Sequence, residues 1–151
     1  MNIAQTEKIL FNPLFTSNLL LMALAGADNK RLKLELAYYI LPLIYNDTIK
    51  DKLVRSRTKS TFKTFLNNDV NRELIRIETL LNNYRKKTKE ALITLSNLHN
   101  TEFSDYLILR DEQQISYSQE KNPLLKEYYK AAFNLGSILS KDDHNKIFFN
   151  L

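Results

Sequence analysis

The chain has 151 residues, 44% of them hydrophobic, with two glycines, three prolines and no cysteine. That length supports one compact domain with its own core, and the lack of cysteine excludes a disulfide framework and any thiolate metal site. The net charge of +5 permits contact with nucleic acid or an acidic protein but requires neither.

So few breakers favour helices over a strand-and-turn architecture. The N-terminus lacks a basic region followed by a long apolar one, so no signal peptide is expected. The longest apolar run, Leu36 to Tyr45, covers about ten residues, where a bilayer span needs ~20. The expectation is a soluble cytoplasmic protein without a membrane contact.

Residues 1–11 read as a short lead-in. Asn12-Pro13 is a helix start, with Asn capping free amides and Pro at the first position, where no donor is needed. The helix runs through Leu14, Leu19, Leu20, Leu21 and Leu24, and Gly26 is its natural stop. A polar connection at 27–31 leads to a second helix over about Leu32 to Tyr45. Pro42 should kink or end its last turn. This dense apolar run is the expected hub of the core.

Asp47 is placed as the cap of a short helix carrying Ile49 and Leu53, and Ser60 as the cap of another carrying Phe62, Phe65 and Leu66. The periodic stretch from Val70 to Leu98 follows. It reads as two helices broken around Arg85-Lys86-Lys87, with Thr88 capping the second. Phe103–Leu109 and Ile115–Tyr117 then flank the polar loop 110–114 as a β-hairpin. Asn122-Pro123 opens a third major helix through Leu139, and Asp142 or Asp143 a last short one.

The fold class expected is mainly α, as a single compact domain over residues 1–151. A helical half at about 1–68 packs on a winged-helix-like half at about 69–151. The helix pair, hairpin wing and further helix of that second half span about 69–140.

Little chemistry can be written on these residues. Two distant glycines leave no phosphate-cradling loop or dinucleotide fingerprint. His99 and His144 lack ligand-spaced partners, and read as a helix-end and a surface histidine. Asp111-Glu112 and Asp142-Asp143 read as solvated loop and cap residues. No nucleophile sits beside a base. No cofactor, no metal and no enzymatic activity are therefore expected.

The electrostatics point further. Between residues 48 and 63 there are six cations, Lys50, Lys52, Arg55, Arg57, Lys59 and Lys63, against the single acid Asp51, a local balance of +5. Such a segment should lie at the surface and suits a phosphate backbone or an acidic partner. A second cluster, Arg85, Lys86, Lys87 and Lys89, falls where a winged-helix recognition helix would begin, with helix amides to favour phosphate. That helix offers few side chains for reading bases. A stand-alone winged-helix DNA-binding transcriptional regulator is the alternative reading these clusters support.

Several motifs occur in a familiar order. They are Asn12-Pro13, Tyr39-Ile40-Leu41-Pro42-Leu43-Ile44, the short basic segment and Thr64-Phe65-Leu66. Thr88-Lys89-Glu90-Ala91-Leu92, Leu135-Gly136 and Ile147-Phe148-Phe149 follow. Together they resemble the middle component of three-component ABC-ATPase systems, the bacterial anti-phage modules of Lamassu type. Two departures stand out: Phe65 where a Trp is usual, and Ser137-Ile138-Leu139 in place of a more basic-aromatic continuation. The resemblance implies a non-enzymatic adaptor beside an SMC-like ABC ATPase and an effector subunit, often a nuclease. Non-specific DNA contact within the complex is a further implication.

Overall fold

The computed structural model describes residues 3–56, 65 and 68–141, with backbone only at 68 and 69. Among them are seven α-helices and a three-stranded antiparallel sheet. In order they are α1 (Ile3–Leu10), α2 (Pro13–Gly26), β1 (Arg31–Lys33), α3 (Leu34–Ile44), α4 (Asp47–Arg55), α5 (Asn68–Leu74), α6 (Ile77–Leu98), β2 (Thr101–Phe103), β3 (Tyr106–Leu109) and α7 (Pro123–Lys141). Of the helix expected after Ser60 only Phe65, helical and buried, is described; the one expected after Asp142 falls outside the described residues, as does His144.

The core is built on α2, which lies against both α6 and α7. Its run Leu19–Leu24 is buried without interruption, so every face of the helix is covered. Asn12 caps it, its Oδ1 accepting from the Leu14 amide at 2.8 Å. Thr16 and Ser17 are buried too, and their hydroxyls donate to the carbonyls of Pro13 and Leu14. Internal hydrogen bonds of this kind let a hydroxyl sit in an apolar core at little cost.

Gly26 ends α2 for a different reason from the one its position suggested. No glycine has a positive φ, so it is not a left-handed stop. A Cβ built on Gly26 would lie 2.1 Å from the Phe133 carbonyl oxygen, and one on Gly136 would lie 1.8 Å from that of Ala23. The two glycines of the chain thus sit at the crossing of α2 and α7 and let the backbones touch.

The N-terminal lead-in forms the helix α1. In the second helix, the first residues expected to be helical are a strand instead. β1 pairs antiparallel with β3, Leu32 opposite Leu107, while β2 pairs on β3's other side. Its residue Leu32 is buried between exposed Arg31 and half-buried Lys33, a strand's alternation and not a helix's. The Leu34 amide donates to the Asp105 carbonyl at 2.9 Å, so α3 starts where the strand meets the hairpin turn. Pro42 is buried inside α3, which continues two residues beyond it to Ile44. Asn46, one residue before the expected Asp47, caps α4 through the Ile49 amide at 3.1 Å.

Two further expectations are corrected. The periodic stretch breaks at Ile75-Arg76, and α6 passes unbroken through Arg85-Lys86-Lys87. No glycine or proline occurs there, and Thr88, Ala91, Leu92 and Leu95 form one continuous buried stripe. Thr88 is therefore interior, and its hydroxyl has no hydrogen-bond partner among the described residues. The hairpin turns at Ser104-Asp105 and uses strands 101–103 and 106–109. Ile115 and Tyr117 do not form a strand but pack half-buried against the core.

Candidate functional site

The ten cations singled out in the sequence divide sharply. On α4, Lys50 is buried, with 7% of its surface exposed, and its Nζ lies 4.4 Å from the centre of the Tyr128 ring. The expectation that this segment is all surface fails at that residue. A lysine stem can line apolar surface while an aromatic face holds the ammonium. Lys52 reaches the buried Phe65 ring at 5.3 Å. Arg55 is exposed, its Nε donating to the Asp51 carbonyl at 3.2 Å. Arg57, Lys59 and Lys63 lie outside the described residues.

Chain exit from α4 is fixed by α7. Asn134 is buried, and its Nδ2 donates to the carbonyls of Leu53 (2.8 Å) and Ser56 (3.2 Å). The Leu53 carbonyl also accepts from the Ser56 amide at 3.0 Å, so Asn134 adds a second donor there and ties the end of α4 to α7.

In the second cluster, Lys87 Nζ lies 5.0 Å from the centre of the Phe11 ring. Phe11 adjoins Tyr45 (5.3 Å), and Tyr45 stacks on Tyr84 (5.5 Å) and contacts Tyr128 (5.9 Å). One lysine from each cluster therefore ends on the same aromatic group. Tyr45 donates to the Leu10 carbonyl. Burial, then the neighbouring Tyr128, Tyr84 and Tyr129, push its phenol well above the ordinary value, so it stays a neutral donor. The group ties the end of α1 to the end of α3 and to the bodies of α6 and α7, and its phenols offer no titratable site near neutral pH.

Arg85, Lys86 and Lys89 are exposed. They sit in the middle of α6, where the backbone amides are bonded within the helix, so the phosphate-binding helix end expected here does not exist. Two of them instead face α3. Arg85, Lys89 and Leu81 line one side of a groove whose other side is Glu35, Tyr38 and Tyr39, with a volume of about 400 Å³. Neither Arg85 nor Lys89 has an ion-pair partner among the described residues. Tyr39 is half-buried, and its phenol is raised by burial and then by Glu35 and Glu78.

Sequence reasoning found Arg85 and Lys89 but missed the α3 wall. Glu35, Tyr38 and Tyr39 were absorbed into an expected core helix. The available signal was that Leu36, Ala37 and Ile40 already supply the buried stripe of α3, which leaves residues 35, 38 and 39 towards its edges.

Elsewhere the polar groups serve structure. His99 follows the last turn of α6 as its cap, and its Nδ1 lies 2.6 Å from Asp111 Oδ2. Asp111 Oδ1 accepts from the Asn100 amide at 3.0 Å. The hydrogen bond to His99, then that from Asn100, hold the Asp111 carboxyl below the usual range. Asp111 is thus a clasp between α6 and the loop after β3, not a freely solvated loop residue. Among the described residues no three His, Asp or Glu side chains gather as a metal site, and no single helix is long and apolar enough to cross a membrane.

No curated protein and no solved structure matches the chain. One family model does, that of the ABC-three component (ABC-3C) system Middle Component 3, over residues 1–151. With its full length covered, the chain belongs to the Middle Component 3 family of ABC-three component systems.

Proposed function

We propose that the protein is a non-enzymatic adaptor of a Lamassu-type anti-phage defence complex. It works in the cytoplasm, bridging an SMC-like ABC ATPase and an effector subunit such as a nuclease. The observation that carries this reading is membership, over the full chain, of a family defined as the middle component of a three-part ABC system. A middle component works through surfaces, and outward-facing cations on α6 beside an open groove suit that work.

The test is co-expression with the ABC ATPase and effector encoded in the same system, followed by size-exclusion chromatography at low salt. Co-elution of all three is the expected result. Separate elution of this chain at every salt concentration would defeat the reading.

A further inference from the structure

We infer that the groove between α3 and α6 is a docking site for an acidic segment of a partner protein, one with apolar side chains flanking its carboxylates. The inference rests on the adaptor reading and adds to it a place and a chemistry.

Leu81, Arg85, Lys89 and Ile93 stand four residues apart on α6 and so form one ridge, about 18 Å long at ~1.5 Å of rise per residue. Two cations occupy its middle and an apolar side chain each end. Ile93 is 62% exposed. It lies one turn along α6 from Lys89, outside the groove's lining, and an apolar side chain so exposed is in place to be covered by a partner that extends past the groove. Arg85 and Lys89 lack ion-pair partners among the described residues, so their charge remains available. The complement of this ridge is a carboxylate-bearing stretch with apolar residues before and after it.

Glu35 decides between protein and nucleic acid. Its carboxylate lines the facing wall beside Tyr38 and Tyr39. A duplex carries phosphate on every residue and would meet that carboxylate wherever it settled. A protein segment places its acids only where the cations are. Half-buried tyrosines with apolar bodies and polar tips also favour a mixed apolar and acidic peptide.

The experiment uses the full chain co-expressed with its ABC ATPase and effector. The R85E/K89E double variant and the single I93D variant are compared with a control reversal, K126E/K130E on α7. All but Lys130, which is half-buried, are exposed, and melting curves verify that each protein folds. Expected is at least a tenfold weaker association with one partner subunit for R85E/K89E and for I93D, with the control unchanged. Recovery on reversing acids in that subunit to Lys would identify the segment. Wild-type assembly that R85E/K89E leaves intact would overturn the groove while leaving the adaptor reading standing. Wild-type failure to assemble would overturn both. Loss of binding to a 20-base-pair duplex with partner assembly unchanged would show the groove to be a nucleic-acid contact and overturn the inference as stated.

Discussion

Two helix pairs in this molecule reach opposite results. Where α2 crosses α7, Gly26 and Gly136 bring backbone against backbone, and a single added carbon would land within about 2 Å of a carbonyl oxygen. Where α3 meets α6, tyrosines, a glutamate and two long cations line the outer edge, and a groove of about 400 Å³ remains. Small residues close an interface completely. Large polar ones close its inner side and hold its outer side open. The first contact is committed to stability, and the second keeps a surface for something else.

The sharpest way to break this contrast is Gly136→Ala. Its Cβ would collide with a backbone atom that cannot rotate away, so we expect a loss of roughly 3 kcal/mol or more, read as a large fall in the urea midpoint. A loss below about 1 kcal/mol would mean that the crossing is looser than it looks. Next comes Asn134→Leu, on the same helix. The Leu53 and Ser56 carbonyls each lose the side-chain donor that ties them to α7, Leu53 keeping only the Ser56 amide, and about 1–3 kcal/mol should go with it. Lys50→Ala should cost about 1–2 kcal/mol through its ammonium on Tyr128 and its buried stem.

Asp111→Asn tests the clasp at the far end of α6. The carboxyl is held low in the folded state, so its contribution is full above the unfolded value, about 3.9, and is lost as pH falls through the folded value. The variant should therefore be less stable than wild type at pH 7, and the difference should shrink progressively below about pH 4. Smallest of all, Arg85→Ala and Lys89→Ala should change stability by no more than ~0.5 kcal/mol, since both side chains are exposed. A larger loss would mark the groove as structural and undo the comparison.

The sequence made some of this legible and hid the rest for physical reasons. Both Asn-Pro helix starts are as written, with Asn122 Oδ1 accepting from the Leu124 and Leu125 amides as Asn12 does from Leu14. These are local interactions, complete within three residues. The mainly helical class followed from composition. Hidden were features that depend on distant residues. β1 looks like the start of a helix until Leu107 is known to lie opposite Leu32. Gly26 looks like a stop until Phe133 is placed against it. Lys50 looks like surface charge until Tyr128 covers it. The basic run on α6 suggested a helix boundary, although lysine and arginine are good helix formers and Thr88 continues the buried stripe. Arg85 and Lys89 were found as a pair. The wall facing them was not, because it lies about 50 residues earlier in the chain.

The position of α2 has a consequence for how the protein is made. This apolar helix is complete by Gly26, yet its principal partner, α7, begins only at Pro123. A ribosome adding ~5–20 residues per second takes roughly 5–20 s to cover that interval. Throughout it, Leu19–Leu24 has only part of its eventual cover, and β1 waits for Leu107 to emerge. The nascent chain must carry an incompletely covered hydrophobic helix for most of its synthesis, and yield on expression should respond to chaperone supply as much as to the stability of the finished fold.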